Sequence, residues 1–272
     1  MIQDIYPSKL DNTYKDIRPE DKDAVLVFDK DGCLFAKTKD GSITFTDRTQ
    51  ADAKETVYLF GIDDKRYFLA ITCDDVSVPG FEPHPIRKLR DTGSGPDIFA
   101  AFTAYHLWKW YSDNRYCGAC GVTLVPDKNE RALRCEKCGR IIYPRINPAV
   151  IAGVINGDML LITRYNRGYA HNALVAGFCE IGETLEQTVA REVMEEAGIK
   201  VRNIRYYKSQ PWGMAQDLLV GFFCDLDGAD TIHMDEGELK YAKWTKRDEI
   251  ELQPGNLSLT NEMMRMFKEN RI

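Results

Sequence analysis

The sequence predicts an α/β chain in three parts: a strand-rich α+β domain over residues 1–112, a metal-binding ribbon over 113–145, and alternating strands and helices over 146–272. Three observations carry this. Apolar and aromatic runs broken by Asp-Gly and Asp-Asp turn signals fill the first part, as in "AVLVFDKDGCLFA" and "VYLFGIDDKRYFLAI". Two Cys-x-x-Cys pairs, "CGAC" and "CEKC", stand fourteen residues apart. After residue 146, strand-like and helix-like periods alternate, beginning with two apolar runs around the hairpin signal Asn156-Gly157.

A chain of 272 residues is too long for one small core and long enough for two modest domains plus a connector. Its net charge of −6 argues against a general polyanion binder. The start "MIQDIYPSKLDNTYKD" lacks the basic residues and apolar stretch of a signal peptide. No run reaches the length of a membrane-spanning helix, so the expected location is cytoplasmic.

In the first part, "GPDIFAAFTAYHLWKWYSD" reads as a helix, with Ile98, Ala101, Phe102, Tyr105 and Trp108 at helical spacing. "VFDKDGCLF" resembles the nucleophile motif of haloacid-dehalogenase phosphatases, with Asp29 and Asp31 as its acids. The same residues read as a turn between apolar strands, and about 110 residues leave little room for that family's later motifs. The turn is the expectation. His84 and His106 are isolated and read as structural or exposed.

Cys117, Cys120, Cys135 and Cys138 have the spacing of two knuckles that hold one tetrahedral ion, so structural zinc closed by four sulfurs is expected. Gly118, Gly121 and Gly139 stand where knuckles need tight backbone. Seven basic and four acidic residues between 113 and 145 give +3, which four thiolates and a Zn²⁺ lower to about +1. That is a weak footprint for nucleic acid, and a structural clasp is the expected role. Cys33, Cys73 and Cys224 show no partner spacing.

Gly177 to Ile199, "GFCEIGETLEQTVAREVMEEAGI", carries six acids against one base. Thr184 with Gln187 is a candidate capping box and Gly198 a candidate helix end. Between them Val189, Ala190, Val193 and Ala197 form an apolar arc. At about 100° per residue, Glu192, Glu195 and Glu196 form one acidic edge beside that arc, with Arg191 on its far flank. Such an edge is ordinarily a solvated helix face. Clustered carboxylates on a fixed frame are also what Mg²⁺ or Mn²⁺ requires, and the ion offsets their mutual repulsion.

The stretch resembles the Nudix box, G-x5-E-x7-R-E-U-x-E-E-x-G-U with U aliphatic. Every fixed position is met: Gly177, Glu183, Arg191, Glu192, Val193, Glu195, Glu196, Gly198 and Ile199. The resemblance implies an alpha/beta/alpha sandwich that hydrolyses a nucleoside diphosphate linked to another moiety. Glu192 and Glu196 would be metal ligands, and Glu195 a ligand or the group that activates water. Glu183 and Arg191 would orient that shell.

Outside the box, "WYSDNRYCGACG", the cysteine ribbon, "IIYPRINPAVI" and "SQPW" resemble, in order and spacing, the zinc-ribbon NADH pyrophosphatases of the Nudix family. This implies Mg²⁺- or Mn²⁺-dependent cleavage of NAD(H) to NMN(H) and AMP, in a homodimer. NAD-capped RNA, ADP-ribose or dinucleoside polyphosphates are the alternative substrates. A zinc-ribbon protein that senses a nucleotide without cleaving it is the alternative of another class. By the resemblance Phe178 would stack on a base, Tyr143 would sit near the same pocket, Gln210 and Trp212 would line the substrate site, and Glu238 would be a further metal ligand. Cys179 occupies a variable box position, where it is exposed to oxidation chemistry near the metal. Gly213, Met214 and Ala215 replace the family's Pro-Phe-Pro, so the substrate ranking is left open.

Overall fold

The computed structural model describes residues 1–71, 76–90, 95–168 and 170–272; Cys73 lies outside them. The chain forms two compact units. The ribbon unit holds residues 3–145 and 212–216, and the sandwich unit holds 1–2, 146–211 and 217–272.

The ribbon unit begins with strands β1 (Leu10–Asp11), β2 (Ala24–Leu26), β3 (Cys33–Lys39), β4 (Ser42–Phe45), β5 (Glu55–Ile62), β6 (Lys65–Ile71) and β7 (Glu82–Pro85). They make two sheets, ordered β1-β5-β6-β2 and β4-β3-β7. The Asp-Gly segment is the turn expected for it. Asp29 Oδ1 accepts the N–H groups of Asp31 and Cys33, and Gly32 takes φ +81°, a region that favours glycine. A carboxylate spent on its own turn is not placed to attack a substrate.

A short helix α1 (Ile86–Leu89) leads to α2 (Gly95–Asp113). The expected face of α2 is wider in the structure: Ile98, Phe99, Ala100, Ala101, Phe102, Ala104, Leu107 and Trp110 are all buried. Tyr105 and Trp108 are half-buried against Phe28, with ring centroids 6.0 and 5.2 Å away. His106 is structural, its Nε2 lying 2.8 Å from the Arg145 carbonyl oxygen. Strands β8 (Val125–Pro126), β9 (Leu133–Arg134) and β10 (Ile141–Ile142) complete the ribbon in the order β10-β9-β8.

In the sandwich unit, β11 (Asn147–Asn156) and β12 (Met159–Tyr165) form the expected hairpin, with Gly157 at φ +61°. There follow β13 (Val175–Phe178), α3 (Leu185–Ala197), β14 (Val201–Trp212), β15 (Asp217–Leu226), β16 (Leu239–Lys246) and α4 (Leu259–Lys268). The sheet runs β14-β15-β11-β12-β16, and β13 pairs with the start of β11. β11 lies parallel to β15 from Asn147↔Asp217 to Ile155↔Asp225.

Strand alternation sends the two sheet faces to different helices. Val150, Ala152, Val154 and Phe222 pack with Val189, Val193 and Ala197 of α3. Ile151, Ile162 and Phe223 pack with Met263, Met264 and Phe267 of α4. The result is a sheet between two helices, the sandwich that the sequence implies. Burying Val189 and Val193 completely contributes about 1.5–3 kcal/mol each and fixes the roll of α3. The acidic edge is then carried to the rim of that interface.

Candidate functional site

Two constellations of chemical groups stand out, one in each unit. In the ribbon unit the sulfurs of Cys117, Cys120, Cys135 and Cys138 all lie within 4.8 Å of one another. The cross-knuckle pairs Cys117–Cys138 and Cys120–Cys135 are 3.6 and 3.4 Å apart. Zn–S bonds of about 2.3 Å arranged tetrahedrally set sulfurs about 3.8 Å apart, so the four fit a zinc ion.

Both knuckles have the same backbone: Gly121 N–H donates to the Cys117 carbonyl and Gly139 N–H to that of Cys135, at 2.8 and 2.9 Å. Gly121 and Gly139 have φ +71° and +72°, the turn that such closure needs. Backbone N–H groups of Ala119 and Cys120 point at the Cys117 sulfur and hold its thiol down at about 6. The N–H of Cys138 similarly lowers Cys135. Sulfur contacts push Cys120 the other way, up to about 12, so the four thiols share their protons unevenly.

In the sandwich unit, Thr184 Oγ1 accepts the Gln187 N–H, Gln187 Oε1 accepts the Thr184 N–H, and Gly198 ends α3 at φ +67°. Gly177 on β13 faces the helix. A Cβ built there would lie 2.0 Å from the Glu192 carboxyl carbon, so glycine leaves the space that this carboxylate occupies.

Arg191 is more central than a flanking residue. Its Nε and Nη2 bond Glu183 at 2.6 and 2.9 Å, and its Nη1 bonds Glu192 at 2.7 Å and Glu195 at 2.9 Å. Nη2 also donates to the Phe178 carbonyl at 2.9 Å. One guanidinium therefore offsets the repulsion of three carboxylates and ties them to β13. Glu183, bonded by Arg191, by the Glu180 N–H and by Thr188, is held at about 2. Burial raises Glu192, against the pull of Arg191.

Glu196 lies outside this reach. It is 3% exposed, and burial pushes its carboxyl up to about 8, with Glu192 and Glu238 adding to the rise. Its hydrogen-bond donors are Tyr165, whose Oη is 3.1 Å from both carboxylate oxygens, and the Ala176 backbone N–H. Glu238 is exposed on the loop before β16, and its charge is felt by both Glu192 and Glu196. Among the described residues only the four cysteines gather within 4.8 Å, so the glutamates are grouped more loosely than the thiols. An all-oxygen set with a buried acid short of positive charge fits a hard divalent cation.

The other predicted residues are dispersed. Phe178 ends β13 beside Gly177 and is 54% exposed as a residue. Gln210 is fully buried, its Nε2 donating to the Leu257 carbonyl and its Oε1 accepting the Leu259 N–H, both at 2.7 Å. It anchors the start of α4. Tyr143 and Trp212 belong to the ribbon unit. The exposed Tyr143 donates to Glu130 at 2.9 Å, while Trp212 packs 5.6 Å from the Phe102 ring.

Gly213 is closely packed: a Cβ there would lie 2.0 Å from the Phe102 carbonyl oxygen, so this turn has no room for proline. Gln216 at its end accepts Arg145 at 2.6 Å. Cys179 Sγ is 3.6 Å from the Glu183 carbonyl, and Cys224 is buried. Tyr165 and Asn166, which support the acidic residues, carry no spacing signal in the sequence.

Comparison with known proteins agrees with this arrangement. A family model described as NUDIX domain matches residues 145–266, and one described as NADH pyrophosphatase zinc ribbon domain matches residues 112–143. A Shigella dysenteriae protein named NAD-capped RNA hydrolase NudC is 41% identical over 171 residues, 62% of this chain and 65% of that one. An Escherichia coli protein of the same name is 43% identical over 150 residues, 54% of this chain and 58% of that one. The chain thus spans under two thirds of the length of these relatives.

The crystal structure of a Nudix hydrolase from Nitrosomonas europaea shares the fold. Its TM-score is 0.51 at 22% identity, over 58% of this chain and 92% of that one. With the box complete, the sheet between two helices and the four cysteines gathered in the ribbon, residues 145–266 form a Nudix domain and residues 112–143 a zinc ribbon of the NADH pyrophosphatase type.

Proposed function

We propose that this chain is a divalent-metal-dependent hydrolase that splits the pyrophosphate bond of NAD(H), giving NMN(H) and AMP. The observation that carries the reading is the complete box folded as one site: Glu192 seated against Gly177, Glu196 beside it, and Arg191 bridging Glu183, Glu192 and Glu195. NAD-capped RNA is the second reading, favoured by the name of the relatives at 41–43% identity, and it uses the same bond.

Glu192, Glu195, Glu196 and Glu238 are the residues that would hold Mg²⁺ or Mn²⁺. When bound, the ion would neutralise the substrate's phosphates and acidify a water molecule. Glu195 is suited to receive that water's proton: its side chain is 59% exposed, and among the described residues it is bonded through Oε2 to Arg191 alone. Glu183, saturated by Arg191 and Thr188, positions the guanidinium and takes no proton. The exposed Phe178 offers a stacking face for a base of the dinucleotide. Trp212 and Tyr143 are assigned to the substrate by family resemblance. A cytoplasmic homodimer is the proposed working form; among the described residues no helix is long and apolar enough to cross a membrane.

The test is product analysis by mass spectrometry with NADH, NAD⁺, ADP-ribose and a short NAD-capped RNA, each with Mg²⁺ or Mn²⁺. NMN(H) and AMP should appear from the free dinucleotides. Glu196→Gln should lower the rate by more than about 100-fold, beyond the range for groups that only orient ligands. Cleavage confined to capped RNA would favour the second reading. Nucleotide binding without turnover would replace both with the sensing role.

A further inference from the structure

Two neighbouring residues at the end of β12 hold acids that arrive from different elements. Tyr165 Oη lies 3.1 Å from each oxygen of Glu196 on α3. The carbonyl oxygens of Leu174 and Ala176, at 3.5 and 3.3 Å, are farther away. Tyr165 Oη also accepts the Ala176 N–H at 3.0 Å. Donation into the phenol oxygen strengthens its own O–H as a donor, so the Ala176 amide of β13 acts on Glu196 through Tyr165 as well as directly.

Asn166 addresses the loop that presents Glu238. Its Nδ2 donates to the carbonyls of Glu236 and Gly237 at 3.0 and 3.3 Å, and its backbone N–H donates to that of Glu238 at 2.9 Å. Three successive carbonyls of the loop converge on one residue. The same loop is tied to α3 by the Asp235 N–H, which donates to the Glu196 carbonyl at 3.0 Å.

A β-bulge puts both side chains in place. Pairing of β12 with β16 is regular through Arg164↔Tyr241, then skips Lys240 so that Tyr165 opposes Leu239. Bulges bend a strand and re-aim its side chains. Here the bend falls at the residue that must turn towards α3.

We propose that Tyr165 and Asn166 are a pair of positioning residues that set the separation of Glu196 and Glu238, and with it the grip of this acidic site on a divalent cation. The inference rests on the metal-site reading above. It explains why a strand end carries a half-buried phenol bonded to Glu196 and an exposed asparagine whose side-chain amide meets two carbonyls of the Glu238 loop and whose backbone N–H meets a third.

The experiment measures Mn²⁺ affinity by electron paramagnetic resonance of the free ion, with the zinc-loaded full chain. The variants are Tyr165→Phe, Asn166→Ala, Glu238→Gln and the Asn166→Ala/Glu238→Gln double. Tyr165→Phe should weaken Mn²⁺ roughly 10-fold or more, with native circular dichroism and zinc content. Asn166→Ala should weaken it several-fold alone and not at all on the Glu238→Gln background, since it acts through Glu238. A Tyr165→Phe affinity within about twofold of native overturns the pair. So does an Asn166→Ala cost that is equal on both backgrounds. A native chain that binds no Mn²⁺ overturns the metal site and the pair together, whereas native binding unaffected by the variants overturns the pair alone. If Tyr165→Phe does not fold, the Asn166 cycle, made at an exposed amide, decides the proposal.

Discussion

Glu192 and Glu196 stand one turn apart on α3 in different surroundings, and the difference is set by single residues. Glu192 has the space left by Gly177 and the charge of Arg191; Glu196 has neither. Gly177→Ala would force a methyl group into the Glu192 carboxylate. It should destabilise the protein by about 1–3 kcal/mol in a denaturant titration, and weaken Mn²⁺ binding as well. Native values for both would mean that the carboxylate swings aside without cost. Glu196 makes stability depend on pH. Its folded pKa, about 8, lies above the ordinary 4.5, so the folded chain holds an extra proton between those values. Its contribution to stability is therefore present below pH 4.5 and is lost as pH rises through about 8. Without added divalent ion, the thermal midpoint should carry a downward slope with rising pH that Glu196→Gln lacks.

At the scale of elements, α3 was the most legible part of the chain. Its capping box and terminal glycine are local signals and appear where the sequence placed them; of the expected apolar arc Val189, Val193 and Ala197 are buried, whereas Ala190 is exposed and Thr188 and Glu196 are buried instead. Thr184→Ala should cost about 1 kcal/mol in the same titration, because it removes the acceptor of the Gln187 N–H. Rate and metal affinity should change less than for Gly177→Ala, since the cap lies at the far end of the helix from Glu196. The position of Arg191 was not legible. An angle around the helix says where a Cβ starts, but a long guanidinium side chain reaches back to Glu183 and across to the Phe178 carbonyl. The packing of Gln210 is hidden from the sequence for a related reason. Motif position suggested the substrate, and only the packing of α4 against β14 shows that both ends of its amide are used by the backbone.

For the whole molecule, the ribbon is the part where four thiols rather than a large apolar core gather the chain. Cys117 and Cys135 are packed with Trp110, Leu124 and Leu133 in one small cluster, too little apolar material to fix two knuckles alone. Removing zinc with a chelator, or Cys135→Ser, should therefore change the tryptophan emission, and Trp110→Phe should abolish most of that change. An unaltered spectrum at zero zinc content would show the cluster to be self-sufficient. The four-cysteine spacing, the box and the strand–helix alternation were written in the sequence, because each depends on residues close together along the chain. By itself the sequence determined the Nudix box, the four-cysteine spacing and the acidic edge. Only the tertiary structure decided which acid is neutralised by Arg191 and which is buried short of charge. It also decided that Gly213 is pressed against the Phe102 carbonyl, and that Tyr165 and Asn166 stand behind Glu196 and Glu238. The physical reason is range: periodicity fixes direction over one or two turns, whereas desolvation and hydrogen bonding between distant segments exist only once the sheet has brought those segments together.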